Sequence, residues 1–274
     1  MQGILKRILD RKAVEIAQRK IQHPLGELVS RAKELPAPRG FAEAIAKCVK
    51  DGGSAVIAEA KRASPSKGVI RPYFDPAAIA RSYERGGATC LSVLTDVDFF
   101  QGSDDCLREA RAACSLPVLR KDFIVDPYQL YETRAMGADA VLLIVAALDD
   151  DALLKLALLA TELQLDVLCE VHNADELGRA LTLPVSLIGV NNRDLRTFQT
   201  SLATSLALRP LLGEDHILVS ESGIRTSLDV AMLRRAGIHA FLVGEAFMRA
   251  ADPGSELNRL FYGAEAEVLQ GVHR

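Results

Sequence analysis

Short apolar runs rich in β-branched residues alternate along the chain with longer segments whose apolar positions recur every three or four residues. This alternation predicts parallel strands joined by crossover helices. The predicted strands are residues 55–61, 89–95, 118–122, 140–145, 167–171, 187–191, 217–221 and 240–244. The predicted helices are residues 76–86, 104–114, 127–136, 149–163, 174–181 and 227–236, and the helical pattern is weakest at 201–208.

Eight such units without a long linker favour one closed (β/α)8 TIM barrel, although periodicity alone also fits an open doubly wound sheet. The 274 residues are close to the length of roughly 250 that is typical of this barrel. Residues 1–50 carry two helical patterns, near 4–9 and 25–35, so we expect an N-terminal helical extension packed on a barrel domain, 51–274. The basic residues of the extension are expected on a solvated outer face rather than on a membrane: Lys6, Arg7, Arg11, Lys12, Arg19 and Lys20.

Composition excludes several classes of protein. Apolar residues make up 49% and charged residues 25%, which is near the globular average and excludes a disordered or collagen-like chain. The formal charge of -3 gives no basic excess for nucleic acid or an anionic membrane. No apolar stretch reaches the roughly 20 residues of a membrane span, and the N-terminus lacks a signal-peptide core. The five cysteines form no CxxC pair and no HxH or HExxH spacing occurs, so we expect a cytoplasmic protein without disulfides or a metal site.

Charged side chains occur where an apolar barrel interior would not require them. Active sites of these barrels form at the carboxyl ends of the strands. The period of two places Glu59 and Lys61 of the first strand on one face, and a buried ion pair that only fills the barrel is the alternative explanation. Lys121 ends the third strand and is suited to act as an acid, and Glu170 of the fifth strand is suited to proton transfer. The end of the sixth strand adds groups for holding a carboxylate or a hydroxyl: Asn191 and Arg193.

Glycines precede predicted helices after strands seven and eight. Ser222-Gly223 and Gly244-Glu245 place backbone N–H groups at helix starts, an arrangement that binds phosphate. The loop after the first strand, which begins at Ser64, carries hydroxyl groups and a glycine that also suit an anion. A plain surface turn is the alternative for that loop. The sequence therefore predicts a phosphate site at the mouth of the barrel.

Six motifs occur in order along the chain. They are IAEAKRASPSKG at 57–68, LTD at 94–96 followed by FFQGS at 99–103, RKDF at 120–123, EVH at 170–172, GVNNRDL at 189–195 and SESGI at 220–224. With these motifs the chain resembles the indole-3-glycerol phosphate synthase family of tryptophan biosynthesis over nearly its whole length. The resemblance implies a decarboxylating lyase that closes 1-(2-carboxyphenylamino)-1-deoxy-D-ribulose 5-phosphate to indole-3-glycerol phosphate with loss of carbon dioxide and water.

The resemblance also implies a function for each candidate residue. Lys121 would be the general acid at the ketone, Glu170 would handle protons in the dehydration, and Lys61 would hold the carboxylate or share the acid function. Polar positioning is implied for Glu59, Asn191 and Glu221, carboxylate or hydroxyl binding for Arg193, and an aromatic pocket for Phe100 and Phe123. Phosphate contacts are implied for Ser64, Ser222, Gly223, Gly244 and Glu245, the last through its backbone.

No cofactor or metal is implied, because the aromatic ring and the ketone supply the electron flow. The expected partner is a small phosphosugar substrate. The chain ends soon after the eighth unit, so a fused phosphoribosylanthranilate isomerase barrel is not expected, and a monomer is compatible with the sequence. Two alternatives remain open: another phosphosugar barrel enzyme, either an isomerase or a Schiff-base aldolase that uses Lys121 or Lys61 as nucleophile, and a non-catalytic phosphosugar-binding barrel.

Overall fold

The computed structural model describes residues 3–194 and 197–263, and its centre is a closed barrel of parallel strands. The strands are β1 Ala55–Ala60, β2 Cys90–Leu94, β3 Val118–Lys121, β4 Ala140–Ile144, β5 Asp166–Val171, β6 Leu187–Asn191, β7 Ile217–Glu221 and β8 Ala240–Val243. Each strand pairs with the next, and β8 pairs with β1. All begin and end within one residue of their predicted bounds, so the predicted (β/α)8 barrel is confirmed. Parts of the predicted extension (1–2), of the sixth-strand motif (195–196) and of the barrel domain (264–274) lie outside the described residues.

Three helices precede the barrel: α1 Ile4–Gln22, α2 Leu25–Glu34 and α3 Phe41–Lys50. The first two match the predicted patterns, whereas α3 was missed although its apolar residues Phe41, Ile45 and Val49 recur every four residues, as expected of a helix. Phe41 and Ile45 of α3 are fully buried and pack on interior residues of the barrel such as Ala55 and Ala140. α3 thereby fills the amino-terminal end of the barrel.

Nine further helices follow the strands in the described residues, and capping side chains explain where most of them begin. They are α4 Pro76–Gly86, α5 Asp104–Ala113, α6 Pro127–Ala135, α7 Asp150–Glu162, α8 Ala174–Ala180, α9 Ala203–Leu208, α10 Ser227–Arg235, α11 Glu245–Arg249 and α12 Pro253–Tyr262. A side-chain oxygen accepts a hydrogen bond from the first turn in α4, α5, α6, α7, α8, α10 and α12. No helix in the described part of the chain is long and apolar enough to cross a lipid bilayer.

The side-chain alternation along the strands separates two apolar cores. Val56 and Ala58 of β1 face outwards and pack in the core between the strands and the helices. Ile57 faces inwards and belongs to the core inside the barrel, together with Leu168 of β5 and Val219 of β7. Because the period of a strand is two, the residue two positions after each of these interior side chains also faces inwards. Polar groups at those positions lie above the apolar interior, at the carboxyl end of the barrel.

Candidate active site

A cavity of about 440 Å³ opens at the carboxyl ends of the barrel strands. The strand period directs the last interior side chains of each strand into this cavity, and the loops that follow the strands form its rim. It is lined by all the residues that the sequence analysis assigned to a site: Glu59, Lys61, Ser64, Phe100, Lys121, Phe123, Glu170, Asn191, Arg193, Glu221, Ser222, Gly223, Gly244 and Glu245. The fold therefore brings together in one place groups that the sequence distributes over almost two hundred positions.

Four polar side chains from four strands form what we call the acid–base cluster: Lys121, Glu170, Asn191 and Glu221. Lys121 Nζ lies 3.0 Å from Glu170 Oε2 and 3.7 Å from a carboxylate oxygen of Glu221. Asn191 Nδ2 donates a hydrogen bond of 3.3 Å to Glu170 Oε1. Both carboxylates are buried, and Glu221 Oε1 makes no hydrogen bond within the described residues. Such an unsatisfied buried oxygen is available to a ligand.

Burial and neighbouring charges shift the pKa values of Lys121, Glu170 and Glu221 in different directions, so the three groups differ in protonation state. Burial disfavours the charged form of Lys121, but the nearby carboxylates of Glu170 and Glu221 outweigh it and raise the pKa of the lysine. Burial likewise opposes ionisation of Glu170, yet the charge of Lys121 dominates and lowers the pKa of Glu170 to about 2. Burial, with repulsion from Glu170 and Glu59, raises the pKa of Glu221 to about 8. At neutral pH the cluster therefore contains an ammonium, a carboxylate and a neutral carboxyl group.

A second charged pair lies beside the cluster. Lys61 Nζ donates a hydrogen bond of 2.5 Å to Glu59 Oε1. Two glycines make room for the carboxylates of the site: a Cβ atom added at Gly244 would lie 2.5 Å from Glu59 Oε1, and one added at Gly189 would lie 2.1 Å from Glu221 Oε1. Only glycine fits at positions 189 and 244, because any side chain there would collide with a carboxylate of the site.

The loops after β7 and β8 contribute backbone to the rim of the cavity. Ser222 and Gly223 both have left-handed φ angles, of 64° and 88°, and both line the cavity. Gly244 immediately precedes α11. The Glu245 carboxylate at the start of α11 faces cations from three parts of the chain: Lys67 at 3.7 Å, Arg193 at 3.6 Å and Arg249 at 3.1 Å. The rim is therefore rich in cations.

The loop after β1 reaches across the mouth of the cavity. Ala63–Ser64 and Gly68–Val69 form a short antiparallel pair within it. At its tip, Ser66 Oγ accepts a hydrogen bond of 3.0 Å from Arg193. From the sequence alone, a plain surface turn was the alternative for this loop. Its contact with Arg193 makes it part of the cavity wall instead.

Apolar side chains form another wall of the cavity. The rings of Phe100 and Phe123 lie 6.0 Å apart between centroids, in a tilted arrangement. Ile4, Leu5 and Ile8 of α1 line the same cavity. The apolar periodicity of α1 was visible in the sequence, but the sequence analysis assigned it to packing on the barrel and missed its contribution to the site.

A buried ionic cluster, Lys12 with Glu15, Asp96 and Asp122, joins α1 to the loops after β2 and β3. Lys12 Nζ lies 2.8 Å from Glu15, 3.0 Å from Asp96 and 2.9 Å from Asp122. Arg19 of the same helix pairs with acidic residues of the barrel layer. The expectation of a solvated basic face is therefore wrong for Lys12 and Arg19, because the fold brings to them carboxylates that are distant in the sequence.

His172, just after β5, is held beside the acid–base cluster. Its Nδ1 lies 2.9 Å from Glu176, and its Nε2 lies 3.5 Å from Glu170 Oε1. In the sequence, His172 appears only as the last residue of the EVH motif at 170–172, and it was not among the predicted site residues. The described residues contain no group of three or more histidines, cysteines or carboxylates arranged to hold a metal ion.

Comparison with known proteins identifies the family. Three solved structures share the fold: 3-hexulose-6-phosphate synthase from Salmonella typhimurium (TM-score 0.60, 15% identity, covering 80% of this chain and 100% of that one), tryptophan synthase subunit alpha from Legionella pneumophila str. Paris (0.59, 13%, 86% and 99%) and a mutant mandelate oxidase with an FMN adduct (0.58, 18%, 80% and 73%). At these identities the likeness concerns the fold alone. The family model of indole-3-glycerol phosphate synthase matches residues 5–260. The chain belongs to the indole-3-glycerol phosphate synthase family.

Proposed function

We propose that this protein converts 1-(2-carboxyphenylamino)-1-deoxy-D-ribulose 5-phosphate into indole-3-glycerol phosphate, carbon dioxide and water. The observation that carries the proposal is the buried pair of Lys121 and Glu170, whose charged atoms lie 3.0 Å apart in a cavity with an aromatic wall and a cationic rim. Family membership supports the same reaction. The cavity of about 440 Å³ is also within the usual size range of small-molecule sites.

In this proposal the two ends of the substrate bind to opposite walls. The phosphate accepts hydrogen bonds from the backbone around Ser222, Gly223 and Gly244, with Ser64 and Glu245 alongside. The anthranilate ring lies against Phe100 and Phe123. Binding at both ends holds the ketone near Lys121, so that the reacting carbon atoms meet without the entropy cost of a free encounter.

The first step forms the new carbon–carbon bond. The ring carbon that bears the carboxylate attacks the ketone carbon, and the Lys121 ammonium donates its proton to the ketone oxygen, which becomes a hydroxyl group. A buried cation stabilises the developing negative charge more strongly than water would. The carboxylate, held until then by Lys61 and Arg193, leaves as carbon dioxide. The electrons of the broken bond restore the aromatic ring.

The second step removes water. The Lys61 ammonium donates a proton to the hydroxyl group, which departs as water, while the Glu170 carboxylate takes a proton from the adjacent carbon. The electron pair of that carbon–hydrogen bond forms the double bond of the indole. Glu59, Asn191 and Glu221 hold these groups in place. The scheme needs no cofactor or metal, because no external oxidant or reductant is required and protein side chains supply and accept the protons.

The mass of the product distinguishes this proposal from the two alternatives. The purified protein is incubated with the substrate, the products are separated, and their masses are measured by mass spectrometry. We expect one product lighter by one carbon dioxide and one water. A product of unchanged mass would indicate an isomerase, two fragments would indicate an aldolase, and unchanged substrate that nevertheless binds would indicate a non-catalytic barrel. Each of these outcomes would overturn the proposal.

A further inference from the structure

One titratable side chain close to the acid–base cluster, His172, has no part in the scheme above. His172 follows β5 by one residue, and its side chain is only 11% exposed. Its backbone N–H and its Nδ1 both approach the same Glu176 oxygen, at 2.8 Å and 2.9 Å. Glu176 is itself fixed, because its backbone N–H and its other carboxylate oxygen bond to the Asn173 side chain that caps α8. The imidazole ring therefore has one orientation, set by the start of a helix.

This orientation directs the second ring nitrogen at Glu170. Nε2 is buried, makes no hydrogen bond within the described residues, and lies 3.5 Å from Glu170 Oε1. The other oxygen of Glu170 pairs with Lys121 at 3.0 Å. Glu170 thus lies between two nitrogen groups that can carry positive charge, one from β3 and one from the segment after β5.

The two groups do not stay equivalent during the reaction. In the proposed first step Lys121 donates its proton and becomes a neutral amine. Apart from His172, the groups around the Glu170 carboxylate would then be uncharged: the amine of Lys121, the amide of Asn191 and the carboxyl group of Glu221. A buried carboxylate without a counter-ion is strongly disfavoured, so Glu170 would take up a proton and lose its function as a base. A cation that does not take part in the first step prevents this.

We propose that His172 is a positioning residue that, as an imidazolium, keeps Glu170 ionised and oriented after Lys121 has donated its proton. This inference rests on the proposed function, because it concerns the second step of that reaction. Glu176 is a positioning residue in the same inference, since it holds the imidazolium of His172 in place.

The surrounding charges favour the imidazolium. Burial opposes the charge on His172, but Glu176 and Glu170 outweigh both burial and the repulsion from Lys121, and the pKa of His172 is raised. These groups come from α8, from β5 itself and from β3. The neighbouring segment Val145–Ala147, which packs on α8 and β5, contributes no charge.

The kinetic test compares the wild type with His172→Gln over a range of pH. Glutamine keeps a side chain that donates hydrogen bonds but has no charge. We expect the ratio of wild-type to variant kcat to be about tenfold at low pH, the factor that corresponds to one pKa unit at Glu170. The ratio should fall towards one as the pH rises through the pKa of His172, with little change in KM. A ratio that is independent of pH, or equal to one throughout, would overturn the inference.

Two further variants strengthen the test. His216→Gln serves as the matched control, because His216 immediately precedes β7 at the opposite end of the barrel, and it should behave as the wild type at every pH. Glu176→Gln retains His172 but removes one of its carboxylates, so the pH at which the kcat ratio changes should move down. An unchanged midpoint in Glu176→Gln would contradict the function assigned to Glu176.

A spectroscopic measurement separates this inference from the proposed function. The chain has five histidines, so the ring signals of His172 are assigned in the NMR spectrum by comparison with His172→Gln. We expect the pKa of His172 in the ligand-free protein to fall in Glu170→Gln, whether or not the protein turns over the substrate. If that pKa does not change, the two groups are not coupled and the inference fails, even for an active synthase. If it falls but no turnover occurs, the coupling stands and the proposed function fails.

Discussion

Replacing Lys12 by methionine would remove the ammonium group that three buried carboxylates share. The side chain is 1% exposed, and its Nζ lies within 3.0 Å of Glu15, Asp96 and Asp122. Methionine fills nearly the same volume, so the substitution removes the charge and leaves the packing. Breaking a buried ion pair by removal of one partner costs about 3–5 kcal/mol of the free energy of unfolding, because the other partner stays buried without a counter-ion. We expect Lys12→Met to lose stability in this range at neutral pH.

The pH dependence of that loss follows from the pKa shifts. Burial opposes charge on both Lys12 and Asp122, but their attraction outweighs it, so the pKa of Lys12 is raised and that of Asp122 falls well below its usual range. The raised pKa of Lys12 contributes stability below about pH 10, which is lost as the pH rises further, and the lowered pKa of Asp122 contributes stability above about pH 4, which is lost as the pH falls. The destabilisation in Lys12→Met should therefore be largest between these limits and shrink in acid.

Urea unfolding, followed by circular dichroism because the chain has no tryptophan, measures this effect. The control is Lys6→Met on the same helix, whose partner Asp10 is exposed, and it should change the free energy of unfolding by no more than about 0.5 kcal/mol. KM should rise in Lys12→Met, because the Asp96 side chain accepts a hydrogen bond of 2.8 Å from Phe99 N, next to the aromatic wall. If Lys12→Met unfolds at the wild-type urea concentration, or if its deficit is equal at about pH 3 and about pH 7, the reasoning about this cluster is wrong.

Lys121→Ala and Glu170→Gln should each lower kcat at least about 10²-fold while inorganic phosphate still binds, and near-wild-type turnover in either would remove that residue from the chemistry. Gly244→Asp should raise KM by repelling the phosphate and should also lower kcat, since its Cβ would lie 2.5 Å from Glu59 Oε1, and an unchanged KM would mean that the phosphate binds elsewhere. Glu221→Gln should match the wild type near neutral pH and lose the change in kcat that ionisation of Glu221 produces at about pH 8, so a pH profile identical to that of the wild type would contradict the assignment. Borohydride added during turnover should leave Lys121 unmodified, and a stoichiometric mass increase on that residue would indicate a Schiff base instead.

Local sequence patterns predicted the barrel because strands and helices have different periods. Glu59 and Glu170 were found in this way: each follows an interior apolar residue by two positions, so the strand register alone directs it into the cavity. The same register explains why candidates from β1 to β8 meet at one mouth. α3 was also predictable from the sequence, because Phe41, Ile45 and Val49 recur every four residues, but the extension was assigned only two helices.

The features that were missed depend on contacts between distant segments. Nothing near Lys12 in the sequence indicates that Asp96 and Asp122 will surround it. The amphipathic pattern of α1 therefore predicted that its basic residues, Lys12 included, would lie on a solvated face. The position of His172 beside Glu170 depends on Glu176, which is fixed by the cap of the following helix. The period of a strand gives the direction of a side chain, but the pairing of charges across the barrel requires the assembled fold.

The central claim is that this cavity carries out the synthase reaction with its own side chains. The most direct test is to mix the purified protein with the carboxyphenylamino-deoxyribulose phosphate in metal-free buffer containing a chelator and to follow indole fluorescence. We expect the fluorescence to rise in proportion to the concentration of protein and to stay flat with Lys121→Ala. A flat trace with the wild-type protein, under conditions in which the substrate binds, would contradict the claim.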